Sequence, residues 1–300
     1  MESIISVIEH DYNSCRKIIN GLVEKYPFLS ARVIGRSIGG RDITALSLGE
    51  SSEYVLYAGG FHGSERITRV LLLKFIEELC FCIKNNISIS GINANRGMFG
   101  RGLVVVPCVN PDGCEITLKG AACCGGYRNS VKKISGGDYE HWNANLRGVD
   151  INHNFSAGWQ ELHRLEREKG VFGPSPRQYG GPRPESEPET AAVVKLCRDV
   201  RFRYVLAFHS QGEVIYWNWR QYEIPHAKRM AEIMAASSGY AMDVPIGLAY
   251  GGGFKDWFIE KYRRPGFTIE VGKGENPLNI ECLDEIYMKI KEMMVLSLLM

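Results

Sequence analysis

Three short apolar runs, Tyr54-Val55-Leu56-Tyr57-Ala58, Tyr204-Val205-Leu206-Ala207-Phe208 and Gly266-Phe267-Thr268-Ile269, each lead to a residue that core packing does not call for. The first enters Phe61-His62-Gly63-Ser64-Glu65, the second ends on His209 and the third ends on Glu270. Runs of this kind read as strands, and a charged side chain at a buried strand tip is hard to attribute to packing. Parallel strands of an α/β sheet deliver their C-terminal ends to one edge, so residues far apart in sequence can meet there. Taken alone, the His-x-x-Glu pair has a plain reading as surface or capping polarity. A catalytic zinc takes three protein ligands and keeps one position open, so His62 and Glu65 need a third donor, and His209 is the candidate. Glu270, a carboxylate outside that set, is the candidate general base for metal-assisted hydrolysis.

Composition limits the alternatives. The chain has 300 residues and shows no composition break, which allows one large α/β domain or two small ones; one is favoured. Apolar residues at 45% and charged residues at 23% exclude a disordered chain. A formal net charge of +2 gives no reason to invoke nucleic acid or a membrane surface. The start, Met1-Glu2-Ser3-Ile4-Ile5, lacks the basic segment and cleavage site of a signal peptide, so a cytoplasmic location is expected. The nine cysteines are odd in number. Cys15, Cys80, Cys82, Cys108 and Cys197 sit in apolar contexts that suit small buried thiols. Cys114, Cys123 and Cys124 lie in a polar, Gly-rich stretch without Cys-x-x-Cys spacing, and free thiols are the default there.

Along the chain, apolar periodicity predicts a helix over Ser3–Lys25, two strands over Ala31–Ser37 and Asp42–Leu48, and a helix over Ile67–Ile83. Asn85–Gly97 reads as a connection and Leu103–Pro107 as a strand covered on both faces. Val109-Asn110-Pro111-Asp112-Gly113 reads as a turn, and Cys114–Arg147 as a long functional loop forming one wall of a cleft. Ser186-Glu187-Pro188-Glu189 is a helix start before Thr190–Asp199. A strand over Glu213–Trp217 and helices over Pro225–Ser238, Phe254–Tyr262 and Ile280–Leu299 complete an α/β alternation.

The motifs Phe61-His62-Gly63-Ser64-Glu65, Asn110-Pro111-Asp112-Gly113, Gly148-Val149-Asp150-Ile151-Asn152, the strand ending at His209, and Gly266-Phe267-Thr268-Ile269-Glu270 together resemble the M14-type zinc carboxypeptidases. They occur in the family's order over nearly the whole chain. The resemblance implies a single-domain α/β/α sandwich with a mixed, mostly parallel central sheet of about eight strands. It also implies one zinc ion held by His62, Glu65 and His209, with Glu270 as general base and proton shuttle. A narrower resemblance rests on Trp142-Asn143-Ala144-Asn145, Phe155-Ser156-Ala157-Gly158-Trp159, and Tyr179-Gly180-Gly181-Pro182 with Ser186-Glu187-Pro188-Glu189. These look like the bacterial gamma-D-glutamyl-diamino acid endopeptidases, which cut between D-glutamate and diaminopimelate in peptidoglycan stem peptides. Cell-wall-binding repeats, common in that group, are not found here, so a bare catalytic domain acting on a small peptide is expected.

Two positions depart from the family pattern. Asn152-His153 stands where digestive members have Asn-Arg, and a His cannot reproduce the bidentate grip of a guanidinium on a carboxylate. Asn143 stands where related amidases place a basic residue for the oxyanion, and the alternatives for that charge are Arg147, Arg128 or a larger share carried by the zinc itself. Lys255 lies in the stretch resembling the family's specificity pocket, where a cation suits a carboxylate-bearing side chain, and Tyr250 is near the family's mobile tyrosine. The alternatives are another acidic amide, such as a deglutamylase or amidohydrolase substrate, and an inactive peptide binder.

Overall fold

The computed structural model describes residues 3–5 and 11–300. Its strands are β1 (Leu29–Arg36), β2 (Asp42–Leu48), β3 (Tyr54–Ala58), β4 (Ser88–Ile89), β5 (Ile92–Asn93), β6 (Gly102–Val106), β7 (Phe202–His209), β8 (Val214–Tyr216), β9 (Ala241–Asp243) and β10 (Gly266–Glu270). Eight of them form one sheet in the order β1-β2-β6-β3-β7-β10-β8-β9, while β4 and β5 pair separately. The pairings β6–β3, β3–β7, β7–β10 and β8–β9 are parallel, and β1–β2, β2–β6 and β10–β8 are antiparallel. This is the mixed, mostly parallel α/β sheet that the resemblance implies.

Both faces of the central strands are covered, which explains their almost unbroken apolar sequence. Successive side chains of a strand point to opposite faces, and β3 divides accordingly. Val55 and Tyr57 join a core with the helices Tyr12–Lys25, Ile67–Asn85, Ala227–Ser238 and Leu283–Leu299. Leu56 and Ala58 join a second core with the helices Pro188–Asp199 and Phe254–Tyr262. The polar end of Tyr57 is satisfied inside the first core, where its hydroxyl donates to Met294 O at 2.7 Å. No helix among the described residues is long and apolar enough to cross a membrane.

Several boundaries differ from expectation for identifiable reasons. Of the helix expected over Ser3–Lys25, residues 6–10 lie outside the described residues. The helix that is described starts at Tyr12, because Asp11 accepts from Ser14 N at 2.8 Å and caps it. Asn110-Pro111-Asp112-Gly113 is a helix start instead of a free turn. Asn110 caps the helix Pro111–Lys119 by accepting from Gly113 N at 2.9 Å, and Pro111 sits where its missing N–H costs nothing. The stretch expected to be one long loop therefore contains that helix and a second, Arg128–Ser135. Cys114 is buried within the first of them, and all nine cysteines are free thiols.

Candidate active site

Glu270 stands directly opposite His209 in the parallel pairing of β10 with β7. On the other side of β7, β3 releases the chain into the loop Phe61–Glu65. Gly63–Glu65 is a single tight turn that brings the Glu65 carboxylate back to His62, with Nδ1 and Oε1 2.8 Å apart. His209 Nδ1 lies 2.9 Å from the other carboxylate oxygen, Oε2. Ligand atoms of His62, Glu65 and His209 all lie within 4.8 Å of one another.

The loop is held in place by close backbone approach. A Cβ added at Gly63 would lie 2.4 Å from Trp142 O and 2.5 Å from Gly113 O, so only glycine fits there. The Asn110 side-chain amide reaches the carbonyl oxygens of Phe61, Asn143 and Ala144 at 3.1, 3.1 and 3.0 Å. The conspicuous Asn-Pro-Asp-Gly motif thus caps a helix with one end of a side chain and fastens three segments around the site with the other.

The residues present fit a metal ion. Asp150 Oδ1 lies 3.0 Å from His62 Nε2, and Asp150 also accepts from Asn152 N and Gln178 N at 3.1 and 3.0 Å. An acceptor-only carboxylate on Nε2 places a ring proton there. Glu65 faces Nδ1 from the other side, so the gap between Nδ1 and Glu65 calls for a cation: a proton, or a metal ion in its place. The ring plane of His209 is fixed by stacking on Phe61, with centroids 5.1 Å apart. Two imidazoles and one carboxylate, with space beside them, are the donor set of an open zinc site.

The electrostatics follow from this crowding. Burial works against charging His62, but Glu65 and Asp150 outweigh it and hold the ring well above its ordinary value. Burial would raise Glu65, yet His62 and His209 bring it down to about 2. Glu270 is pushed up by burial and by Glu65, with His62 partly offsetting them. Positive charge at the triad acts on Glu270 in the opposite sense and favours its ionised form.

A cavity of about 320 Å³ opens from the triad and reaches Glu270, Asn143, Asn152, His153 and Lys255. Asn143 Oδ1 accepts from Ser64 Oγ at 2.5 Å, so its NH2 group is the half of the amide left for other partners. Asn152 Oδ1 accepts from Phe254 N at 3.0 Å. His153 is buried, with Nδ1 2.9 Å from Oε1 of the fully buried Glu166; His163 Nδ1 is 3.0 Å from Oε2 of the same carboxylate. Lys255 is neither exposed nor a lone cation. It is 3% exposed, donates to Asn218 O at 2.6 Å and pairs with Asp256.

Three expected residues lie outside this cavity. Arg147 turns away to Glu187, with Nε and Nη2 at 3.0 and 2.8 Å from Oε2, because that buried carboxylate needs a cation. Arg128, the other candidate for that role, is exposed at the start of its own helix. Tyr250 is 36% exposed and packs its ring 4.8 Å from Trp219, while Leu248 and Ala249 take up the cavity wall.

Sequence reasoning also missed Arg177, which lines the cavity with no hydrogen bond or ion pair to its guanidinium among the described residues. It adjoins Asn143 through Pro176, whose carbonyl accepts from both Asn143 N and Ala144 N at 2.9 Å. Only an adjacency seen in three dimensions reveals it; the sequence offers an ordinary loop arginine. Sequence reasoning also gave Asp150 no role of its own, although the residue lies inside the Gly-Val-Asp motif that carries the family resemblance.

The profile of the zinc carboxypeptidase family matches residues 15–294. The gamma-D-glutamyl-L-diamino acid endopeptidase 1 of Lysinibacillus sphaericus is 36% identical over 281 residues, covering 93% of this chain and 69% of its own. Murein peptide amidase A of Escherichia coli K12 is 28% identical over 160 residues, 51% of each chain. Among solved structures, thrombin activatable fibrinolysis inhibitor superposes with a TM-score of 0.75 at 19% identity, over 98% of this chain and 74% of that one.

Proposed function

Because this chain belongs to the zinc carboxypeptidase family and is a metallopeptidase, we propose that it hydrolyses the amide bond joining the γ-carboxyl of D-glutamate to a diamino acid, meso-diaminopimelate, in peptidoglycan stem peptides. The observation that carries this reading is the 36% identity to a gamma-D-glutamyl-L-diamino acid endopeptidase across 93% of the chain. The one eight-stranded sheet, with the triad and Glu270 where its parallel strands end, supports treating the chain as one catalytic domain. A protein that only binds its ligand has no use for a carboxylate such as Glu270 beside a complete ligand set.

His62, Glu65 and His209 hold the zinc in this reading. When bound, zinc supplies a Lewis acid that lowers the pKa of a water toward ~7 and polarises the amide carbonyl. Glu270 would take a proton from the water that attacks the amide carbon and pass it to the nitrogen as the carbon–nitrogen bond breaks, so that the water oxygen ends in the new carboxylate and the amine leaves protonated. The NH2 of Asn143 and the guanidinium of Arg177 donate to the oxygen as negative charge develops on it, the part played by a basic side chain in related amidases. His153, fixed by Glu166, and Asn152 orient the carboxylate next to the leaving nitrogen.

The test is to incubate zinc-loaded protein with L-Ala-γ-D-Glu-meso-diaminopimelate, with and without chelator, and weigh the products. Chelator-sensitive release of free diaminopimelate is expected. If this peptide stays intact while α-linked acidic peptides are cleaved, the proposed linkage is wrong.

A further inference from the structure

We propose that Cys108 and Cys114 form a peroxide-sensitive thiol pair whose oxidation to a disulfide loosens the zinc site. This goes beyond the hydrolysis proposed above and rests, for its effect alone, on the three zinc ligands. The two sulfurs lie 3.7 Å apart, and both thiols are free. Cys114 is buried in the first turn of the helix Pro111–Lys119, while Cys108 is partly exposed. Cys108 lines a cavity of about 30 Å³ together with Cys15, Arg16, Arg69 and Pro111. That is room for a water-sized molecule, and so for hydrogen peroxide, but not for a bulky disulfide oxidant.

The surroundings favour the reactive form. A hydrogen bond from Cys108 draws the Cys114 thiol below its ordinary value against its burial, and the guanidinium groups of Arg69 and Arg66 act in the same direction. Thiolate beside arginine is the form that reacts. The pair ionises by giving one proton to solvent and shares the other. With the shared proton on Cys114, the Cys108 thiolate attacks one oxygen of hydrogen peroxide, the O–O bond breaks, and Cys108 becomes a sulfenic acid. The departing hydroxide takes the Cys114 proton and leaves as water. The Cys114 thiolate then attacks the Cys108 sulfur, the S–O bond breaks, and the second hydroxide takes up the proton released at the start. Each sulfur gives up one electron, the two peroxide oxygens gain them, and two waters are formed.

Oxidation reaches the zinc site because the pair brackets Asn110. Val109 N and Asn110 N donate to Gly59 O and Gly60 O at 3.0 and 2.8 Å, where the chain enters the zinc loop. A Cβ added at Gly60 would lie 3.0 Å from Cys108 Cα and 3.1 Å from its Sγ, and Gly113 O, one residue before Cys114, lies against Gly63. Cys108 thus touches the start of the loop, and the residue before Cys114 touches its middle. A disulfide holds its sulfurs about 2.05 Å apart, so closing the bond draws these two contacts together and shifts the segment that carries His62 and Glu65.

The experiment treats reduced, zinc-loaded protein with hydrogen peroxide, removes the excess, and reads bond formation and zinc affinity separately. Trypsin releases residues 102–119 as one peptide that contains these two cysteines and no methionine. Its mass, taken without reduction, should fall by two hydrogens. Competition against a chelating dye should show zinc held ~10-fold more weakly, with full recovery after a thiol reductant. Cys108→Ser should keep the affinity of the reduced protein through the same treatment. An unchanged peptide mass, a gain of oxygen in its place, or a cross-link to Cys15 or Cys123 in the wild-type protein would overturn the pair, whether or not the variant folds. A disulfide that leaves zinc affinity unchanged would overturn its effect on the site. Reduced protein that binds no zinc would overturn the ligand set instead, and the peptide mass would still decide the pair.

Discussion

His62 Nε2 lies 3.0 Å from Asp150 Oδ1, and this contact decides which ring nitrogen is left to face Glu65. A carboxylate behind a metal-binding histidine fixes its tautomer and raises its basicity. Asp150→Asn keeps the shape and removes the charge, so zinc affinity should fall by ~10- to 100-fold. Competition against a chelating dye measures this, and an unchanged affinity would show that Asp150 serves the backbone of the loop alone.

Gly63 offers a test that removes no ligand. Since an added methyl would meet the carbonyls of Trp142 and Gly113 at 2.4 and 2.5 Å, Gly63→Ala must shift the loop that carries His62 and Glu65. Overpacking of this kind typically costs ~1–3 kcal/mol. Urea unfolding should show that loss, with weaker zinc binding alongside it. A variant with normal stability and normal affinity would mean the loop is looser than this packing indicates.

The strand ends were legible because the same chemistry that makes them useful makes them anomalous: His209 and Glu270 terminate apolar runs that would otherwise end in loop residues. The helix at Pro111 was read as a turn because Asn, Pro and Gly favour turns and helix starts alike, and only the Asn110 cap distinguishes the two. Arg147 and Arg177 show the opposite limit. Both are loop arginines, and what separates them is the buried Glu187 that holds one and leaves the other at the cavity. Lys255 reads in the sequence as a cation for a carboxylate-bearing side chain because nothing there says that its neighbour Asp256 turns toward it.

Glu270→Gln should retain zinc, because Glu270 is outside the ligand group. It should also lower turnover by at least ~10²- to 10⁴-fold, the usual worth of a general base. Metal content by mass spectrometry and single-turnover cleavage of the stem peptide check both halves. A variant that keeps its rate would remove Glu270 from the mechanism.

Glu166 is fully buried and serves two histidines, His153 and His163, and the Gly180 N–H at 3.2 Å. Glu166→Ala leaves those donors without an acceptor, and breaking a buried pair from one side costs about 3–5 kcal/mol. His153→Ala removes only one of these contacts, so its main effect should be a raised KM for substrates with a carboxylate next to the leaving nitrogen. Equal KM values for those substrates and their amides would exclude His153 from carboxylate binding.

Glu189 makes stability depend on pH. Burial raises its carboxyl from the ordinary 4.5 to about 7, against hydrogen bonds from Ile38 N and Asn145 Nδ2 that lower it; Asp112 pushes it up further. Between those two values the folded protein holds a proton that the unfolded chain has released. Stability contributed by this group is therefore fully present below pH 4.5 and is lost as pH rises through about 7. The loss amounts to about 3 kcal/mol when the shift is converted at 1.36 kcal/mol per pKa unit. Glu189→Gln cannot ionise, so the stability of the variant relative to the parent should improve by up to that amount between pH ~5 and ~8. Urea unfolding of both proteins at the two pH values measures the difference directly. A constant difference would mean that Glu189 stays ionised throughout and that the hydrogen bonds it accepts outweigh its burial.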